Sequence, residues 1–245
     1  MTLAQSLIMP DWPAPASVQA IQTTRSGGFS LSPYDSLNLG MHVGDNALTV
    51  AANRNLFNAL VPSEPVWLEQ VHGTRVVVAE LAGCVPQADA CISFRPNTVC
   101  AVMTADCLPV LLCDGAGTVV GVAHAGWRGL ADGVIEATVG AMGVAADTLM
   151  AWLGPAIGPK AFEVGAEVRE AFLQKNPAAD RAFTQHSDKF LADLYLLARQ
   201  RLGALGISQI YGGHFCTYSD PARFYSYRRD GKTGRMATMV WLSAT

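Results

Sequence analysis

Two histidines and a cysteine stand out as residues able to do chemistry together: His72 closing the segment VWLEQVH, Cys107 in MTADCLPVLL and His124 in VAHAGWRG. Two imidazoles and a thiolate fill three corners of a tetrahedral zinc site and leave the fourth to water, as catalytic rather than structural zinc requires. Zinc held in this way lowers the pKa of its water to about 7 and supplies hydroxide at neutral pH. Without metal, the same atoms describe a Cys107 nucleophile activated by His124. With copper they approach a trigonal site of two histidines and one cysteine, for which Met103 is a conceivable axial ligand. Spacing alone leaves all three chemistries open. Asp106, beside Cys107, is placed to orient a ligand or move a proton.

Three strands and a turn must bring these groups together. Val99–Thr104 and Pro109–Cys113 are apolar and β-rich, and Thr118–Ala123 follows the turn-forming Asp114-Gly115-Ala116-Gly117. An antiparallel hairpin with Cys113 opposite Thr118 carries the pairing down to Cys107 opposite His124, about 4.5–5.5 Å apart. A one-residue slip would separate the pair. Ala-Gly-Trp-Arg-Gly after His124 opens a helical pattern from Leu130, where free N–H groups and Arg128 make an anion site. Val66–His72 alternates as a strand, with Leu68, Gln70 and His72 on one face and Trp67, Glu69 and Val71 on the other. Gly73-Thr74 then turns the chain into a second strand, Arg75–Glu80, which leaves His72 at a rim. A lone histidine there is incidental; its case rests on meeting Cys107 and His124, with Gln70 beside it as a substrate-binding candidate.

Other polar residues join the candidate list more loosely. Arg25, next to Gly27 and Gly28, suits a phosphate or carboxylate, or else a plain surface turn. Asn38 lies between Leu37 and Leu39 and points away from both on a strand, toward a cleft. Glu163 sits in a loop from Gly154 to Gly165 that reads as a binding loop. Asp45 or Asn46 caps a helix to about Leu60, another helix spans Leu130–Met142, and Ala166–Lys175 forms a third. Ser187 caps a longer helix carrying Phe190, Leu191, Leu194, Leu197 and Leu202. Leu149–Leu153, Ile207–Tyr211 and Met236–Leu242 read as strands. His214 and Cys216 read as structural, His42 and His186 as incidental.

The chain has 245 residues, half of them hydrophobic and 15% charged, with a net charge of −3. That composition describes a well-packed globular α/β domain with mixed sheets and no strongly basic nucleic-acid surface. Six irregularly spaced cysteines without a C-x-x-C pair fit reduced thiols. The expectation is a soluble cytoplasmic protein without signal peptide or membrane span. Its oligomeric state, a monomer included, stays open.

The blocks WLEQVHG, MTADCLPVLL, VAHAGWRG, WLGPAIGP and FYSYRRDGKTGRMA, with TTRSGGFS and YDSLNLG nearer the start, resemble the YfiH-like family. Its members carry the labels laccase-domain protein, polyphenol oxidase, purine nucleoside phosphorylase and peptidoglycan editing factor. The resemblance covers nearly the whole chain and implies a single domain over 1–245. It implies a four-layer α/β/β/α fold with mixed β-sheets, shared with certain cysteine-dependent toxin domains. It also implies zinc on His72, Cys107 and His124, the same three residues that spacing singles out. The first functional reading is a zinc enzyme of purine nucleosides: phosphorolysis of adenosine, inosine and methylthioadenosine, and deamination of adenosine. Phosphorolysis needs a phosphate pocket, for which Arg25 and Arg128 are the candidates. The alternative is an amide hydrolase that edits a peptidoglycan precursor, with Cys107 or zinc-bound water as nucleophile. A copper-dependent polyphenol oxidase is weaker, because multicopper oxidation needs many more histidines than the five present. A binding module without turnover predicts instead that replacing His72 or His124 unfolds the chain.

Overall fold

Short β-branched runs separated by glycine turns favour strands over helices. The computed structural model describes residues 6–244. Its chain begins with β1 (Val18–Gln22), α1 (Ala47–Asn55), β2 (Val76–Val78), β3 (Ala90–Ser93) and β4 (Cys100–Thr104). Next come β5 (Leu108–Asp114), β6 (Val120–Ala125), α2 (Trp127–Asp132), α3 (Val134–Met142) and β7 (Leu149–Leu153). β8 (Glu163–Val164), α4 (Ala166–Leu173), β9 (Phe183–His186) and β10 (Lys189–Ala192) follow. The last elements are α5 (Leu194–Ala204), β11 (Gln209–Gly212), α6 (Tyr227–Asp230) and β12 (Met236–Leu242).

The strands form three sheets, and the protein is of mixed α/β class. Six strands in the order β11-β7-β5-β6-β3-β2 make the largest sheet, antiparallel in its middle and parallel at both edges. β1, β12 and β4 form a second, antiparallel sheet, and β8, β10 and β9 a third. Every residue of β5 and β6 is buried, which explains runs too uniformly apolar to alternate: both faces are covered. On one face Leu111, Cys113, Val120 and Val122 pack with Val102 and Val240 of the second sheet. On the other, Val110, Leu112 and Ala123 meet Val139 of α3 and Leu197 of α5. The far side of the second sheet, through Ile21, Met103 and Met239, packs with Leu37 and Phe57.

Several local expectations change. β4, to which the sequence assigned no partner, pairs with β12 in the second sheet. The β5–β6 hairpin register differs: Cys113 pairs with Val120 and Pro109 with His124. The cause is Asp114, whose carboxylate accepts from Thr118 N (2.7 Å), Thr118 Oγ1 (2.7 Å) and Val119 N (3.0 Å), so Thr118 belongs to the turn. A shift of two positions keeps every side chain on its face, which leaves Cys107 on the His124 side but beside Gly126. The 66–72 segment makes only isolated bridges, Val66 to Cys100 and Glu69 to Gln87, and buries the neighbours Trp67 and Leu68 together. Arg75–Glu80 is strand only over β2. The helix from Leu130 is two helices broken at Gly133, where φ is 102°. Ser187, with φ of 56°, turns the β9–β10 hairpin, so Phe190 and Leu191 lie on a strand. The helix beyond is capped by Asp193, whose Oδ1 accepts from Leu196 N at 3.0 Å. Asn46 caps α1 as expected, accepting from Leu48 N and Thr49 N. No helix among the described residues is long and apolar enough to cross a membrane.

Candidate active site

A buried carboxylate assembles the cluster. Asp89, just before β3 and fully buried, accepts hydrogen bonds from the backbone N–H groups of Val71 (3.2 Å), His72 (2.9 Å) and Gly73 (2.7 Å). Its Oδ1 also lies 2.8 Å from His124 Nδ1. An ionised carboxylate only accepts, so Nδ1 carries the proton and Nε2 is left for the site. Burial pushes the Asp89 carboxyl upward, but the His124 hydrogen bond and the N–H of Gly73 outweigh it and hold the value below the ordinary range. One side chain thereby fixes the ring of one candidate ligand and the backbone of the other. His72 has φ of 62°, a left-handed conformation that a non-glycine residue keeps only when its surroundings enforce it.

Cys107 immediately precedes β5, and its Sγ lies 3.8 Å from His72 Nε2. The His72 and His124 rings are 4.8 Å apart between centroids, edge to face. The three donor atoms all fall within 4.8 Å of one another. Gly126 makes this possible: a Cβ there would stand 2.9 Å from His72 Cδ2 and 3.0 Å from Cys107 Sγ. At Gly129 a Cβ would come within 2.9 Å of Gly73 O, so α2 reaches the His72 turn only without a side chain. Burial raises the Cys107 thiol, but the charge and hydrogen bond of His124, then His72, outweigh it and bring it to about 6. Burial lowers His124, yet the Cys107 thiolate and Asp89 lift it to about 9. Before any ligand binds, the pair favours thiolate and imidazolium. Two nitrogens and one soft sulfur converging at this spacing, with a carboxylate behind one imidazole, fit a zinc or copper ion.

The cluster opens into a cavity of about 330 Å³ lined also by His42, Gln70, Met103, Thr104, Tyr227 and Arg235. Gln70 faces it, but both ends of its amide are used: Nε2 donates to Met103 O (2.8 Å) and Oε1 accepts from Met103 N (2.7 Å). Asn38 is fully buried and lies outside the cavity lining, accepting at Oδ1 from Gly40 N and Arg235 N (both 2.9 Å). Arg25 lies elsewhere, donating to Asp35 O at 3.0 Å and Pro221 O at 3.1 Å in a separate depression. Arg128 is exposed and lies over the Trp127 ring at 4.4 Å. Glu163 pairs with Lys189 (2.8 Å) and His186 (3.1 Å) at the third sheet. Asp106, with φ of 90°, turns its carboxylate to Thr217 Oγ1 (2.6 Å) and Arg228 N (2.7 Å), so it anchors the C-terminal segment. Cys216 accepts from Gly158 N at 3.2 Å, and His214 packs on Phe215.

Sequence reasoning passed over Asp89, His42, Thr104, Tyr227 and Arg235. The signal for Asp89 was faint: a single acid between alanines opening an apolar strand, where burial demands partners. His42 carried none, since its neighbours are distant in sequence. Burial, then Arg235 and Arg54, lower its pKa and keep the imidazole neutral. Thr104 is 1% exposed with no partner for Oγ1.

A family model described as Multi-copper polyphenol oxidoreductase laccase matches residues 19–243. The chain is 58% identical over 241 residues to the Escherichia coli protein named purine nucleoside phosphorylase YfiH, covering 96% of this chain and 98% of that one. A Haemophilus influenzae protein named purine nucleoside phosphorylase is 49% identical over 239 residues, with the same coverage. The crystal structure of a Neisseria meningitidis protein superposes with a TM-score of 0.95 at 52% identity, covering 98% of this chain and all (100%) of that one. YlmD from Geobacillus stearothermophilus gives 0.90 at 31% identity, covering 100% and 98%.

Proposed function

From the premise that this chain belongs to the YfiH-type family described as multi-copper polyphenol oxidoreductase laccase, we propose that it is a zinc-dependent purine nucleoside phosphorylase. Its substrates are adenosine, inosine and methylthioadenosine, and it also deaminates adenosine. The carrying observation is the convergence of His72, Cys107 and His124, backed by Asp89, at the floor of a nucleoside-sized cavity. Relatives more than half identical to this chain bear the phosphorylase name. The whole chain, 1–245, acts as one cytoplasmic domain of four layers, two sheets face to face between helical layers. All three donors come from one chain, so a monomer suffices.

His72, Cys107 and His124 would hold the metal, which when bound would supply Lewis acidity to the reaction. Asp89 keeps the proton on His124 Nδ1 and thus Nε2 directed inward. Gln70, by clamping Met103, fixes the wall on which substrate rests. A lobe lined by Met41, Trp67, Val85 and Met103 together with Arg54 and Glu69 adjoins the cavity through His42, Gln70 and Met103, and receives the purine. Neutral His42 at that junction accepts a hydrogen bond or hands on a proton at a ring nitrogen.

One observation favours a second reading. Cys107 Sγ stands 3.8 Å from His72 Nε2, and the two imidazoles beside it pull its thiol down against burial, as a cysteine amide hydrolase acting on a peptidoglycan precursor would need. Multicopper oxidase chemistry has less support, because the described residues bring together one group of three metal-ligating side chains.

Incubation of purified protein with each nucleoside and phosphate, followed by chromatography of free base, tests the proposal. Cys107→Ala is expected to abolish base release while circular dichroism stays native, and a chelator to abolish it until zinc is restored. Full turnover by Cys107→Ala would overturn the reading. Chelator-resistant, alkylator-sensitive amide cleavage would replace it with the hydrolase.

A further inference from the structure

Lys232, Thr233 and Arg235 wall a second lobe of about 330 Å³ that shares His42, Tyr227 and Arg235 with the cavity of the candidate site. Its chemistry is cationic: Lys232 Nζ stands 5.5 Å from the Tyr34 ring centroid and the Arg235 guanidinium 5.9 Å from that of Tyr227. Among the described residues no carboxylate pairs with Lys232 or Arg235, and the neighbouring acid, Asp230, is taken by Arg229 at 2.7 Å. Asp106, the acid nearest Cys107 in sequence, is likewise used by Thr217 and Arg228. The Arg235 guanidinium bonds to protein oxygens through NH1, to Thr233 O at 3.1 Å and Gly234 O at 3.0 Å, which leaves Nε and NH2 for a ligand. Thr233 is 2% exposed, and its Oγ1 has no hydrogen-bond partner. Among the described residues nothing pairs with this hydroxyl, which leaves it able to donate to a ligand in the lobe it lines. The segment is also held in place from behind. Asn38 Oδ1 accepts from Arg235 N at 2.9 Å, and Leu39 N donates to Arg235 O at 3.1 Å.

We infer that this lobe is the seat of inorganic phosphate, the second substrate of the proposed phosphorolysis, with Arg235, Lys232 and the Thr233 hydroxyl as its donors. A guanidinium, an ammonium and a hydroxyl lining one lobe are donors of the kind that hold a phosphate dianion. The shared wall at Arg235 and Tyr227 puts the anion next to the cavity where the nucleoside lies. An oxygen of HPO4²⁻ bonds to the ribose C1′ while the C1′–N9 bond breaks and its electron pair passes to the purine. The proton that phosphate brings is taken up by the base, so ribose 1-phosphate and free purine account for every atom. Asn38 is then a positioning residue: it holds the Arg235 backbone and touches neither substrate.

The inference rests on the phosphorylase reading, but its test does not depend on turnover. Phosphate binding to the whole protein is measured without nucleoside, by phosphorus NMR line broadening and by calorimetry with inorganic phosphate. Steady-state constants for phosphate and inosine are measured in parallel. Lys232→Ala and Thr233→Val, neither of which removes a described protein–protein side-chain hydrogen bond, are each expected to weaken phosphate binding about tenfold. The phosphate KM should rise alongside, with the inosine KM within about twofold, since a hydroxyl or charge that touches only one substrate is felt only there. Arg235→Lys should weaken phosphate further, because the fork geometry is lost. Unchanged phosphate binding in Lys232→Ala and Thr233→Val would overturn the assignment even if nucleosides are cleaved. Weakened binding in an enzyme that cleaves no nucleoside would keep the anion seat and remove phosphorolysis.

Discussion

Replacing Asp89 by asparagine changes almost no volume and removes one acceptor oxygen from the middle of the site. Oδ1 accepts from His72 N at 2.9 Å and His124 Nδ1 at 2.8 Å, while Oδ2 accepts from Val71 N at 3.2 Å and Gly73 N at 2.7 Å. An amide keeps one of these pairs and turns N–H groups on the other. Two hydrogen bonds to a charged acceptor, at about 1.5–3 kcal/mol each, are lost, a loss of about 3–6 kcal/mol from a total stability of about 5–15 kcal/mol. The amide that keeps the Val71 and Gly73 bonds faces His124 as a donor and drives its proton to Nε2, where it blocks ligation. Loss of such a supporting carboxylate typically costs about 10–100-fold in metal affinity. Urea unfolding at pH 7 and a zinc competition titration with a chromophoric chelator measure the two effects. The Asp89 value is depressed on folding, so its stabilisation is present above the unfolded carboxylate value of about 3.9 and is lost as pH falls through the lower folded value. The gap between wild type and Asp89→Asn should therefore close in acid. An unchanged urea midpoint with unchanged zinc affinity would refute the role given to Asp89.

Gly126→Ala probes the spacing of the donors separately from stability. With φ of −59° and ψ of 157° the backbone accepts alanine, but its Cβ would press on His72 Cδ2 and Cys107 Sγ at 2.9 and 3.0 Å. Base release should fall by about tenfold or more while the urea midpoint barely moves; wild-type turnover would show that the donors need no such closeness. Asp114→Ala removes the carboxylate that sets the β5–β6 turn and should destabilise by about 2–3 kcal/mol at pH 7, with activity per folded molecule retained. Burial raises the Asp114 carboxyl, but the N–H groups of Val119 and Thr118 and the Thr118 hydroxyl hold it below its ordinary value. The deficit should therefore shrink as pH drops below about 4; a deficit that stays constant into acid would argue against the turn.

How much was readable in advance follows from how local each cause is. Leu149–Leu153 and Met236–Leu242 coincide with β7 and β12 because an unbroken apolar run bounded by turn residues admits little else. Asn46 was legible as a cap from its own neighbours. Ser187 misled, because leucines and phenylalanine across β10 and α5 mimic one helical stripe, and only the pairing of β10 with β8 and β9 breaks it. The hairpin register was missed by two positions because the Asp114 carboxylate captures Thr118 and Val119, a side-chain choice that residue types do not announce. Placing β4 beside β12 depends on pairs such as Thr104 with Met236 and Cys100 with Val240, far apart in the chain, and no local pattern encodes it.

By itself the amino-acid sequence determined the family, the mixed α/β class and which residues are chemically able to hold a metal: block identity, apolar patterning and side-chain type are properties of the chain read in order. Tertiary structure alone decided what those residues are next to. It recruited Asp89 as the support behind His124, spent Asp106 on Thr217 and Arg228 and Gln70 on the Met103 backbone, and sent Arg25, Arg128 and Glu163 to other surfaces. It also brought Arg235 and Thr233 to the cavity edge beside His42. The physical reason is that a hydrogen bond or a field falls off over a few ångströms of space, whereas the partners that supply it here stand tens to hundreds of residues apart along the chain.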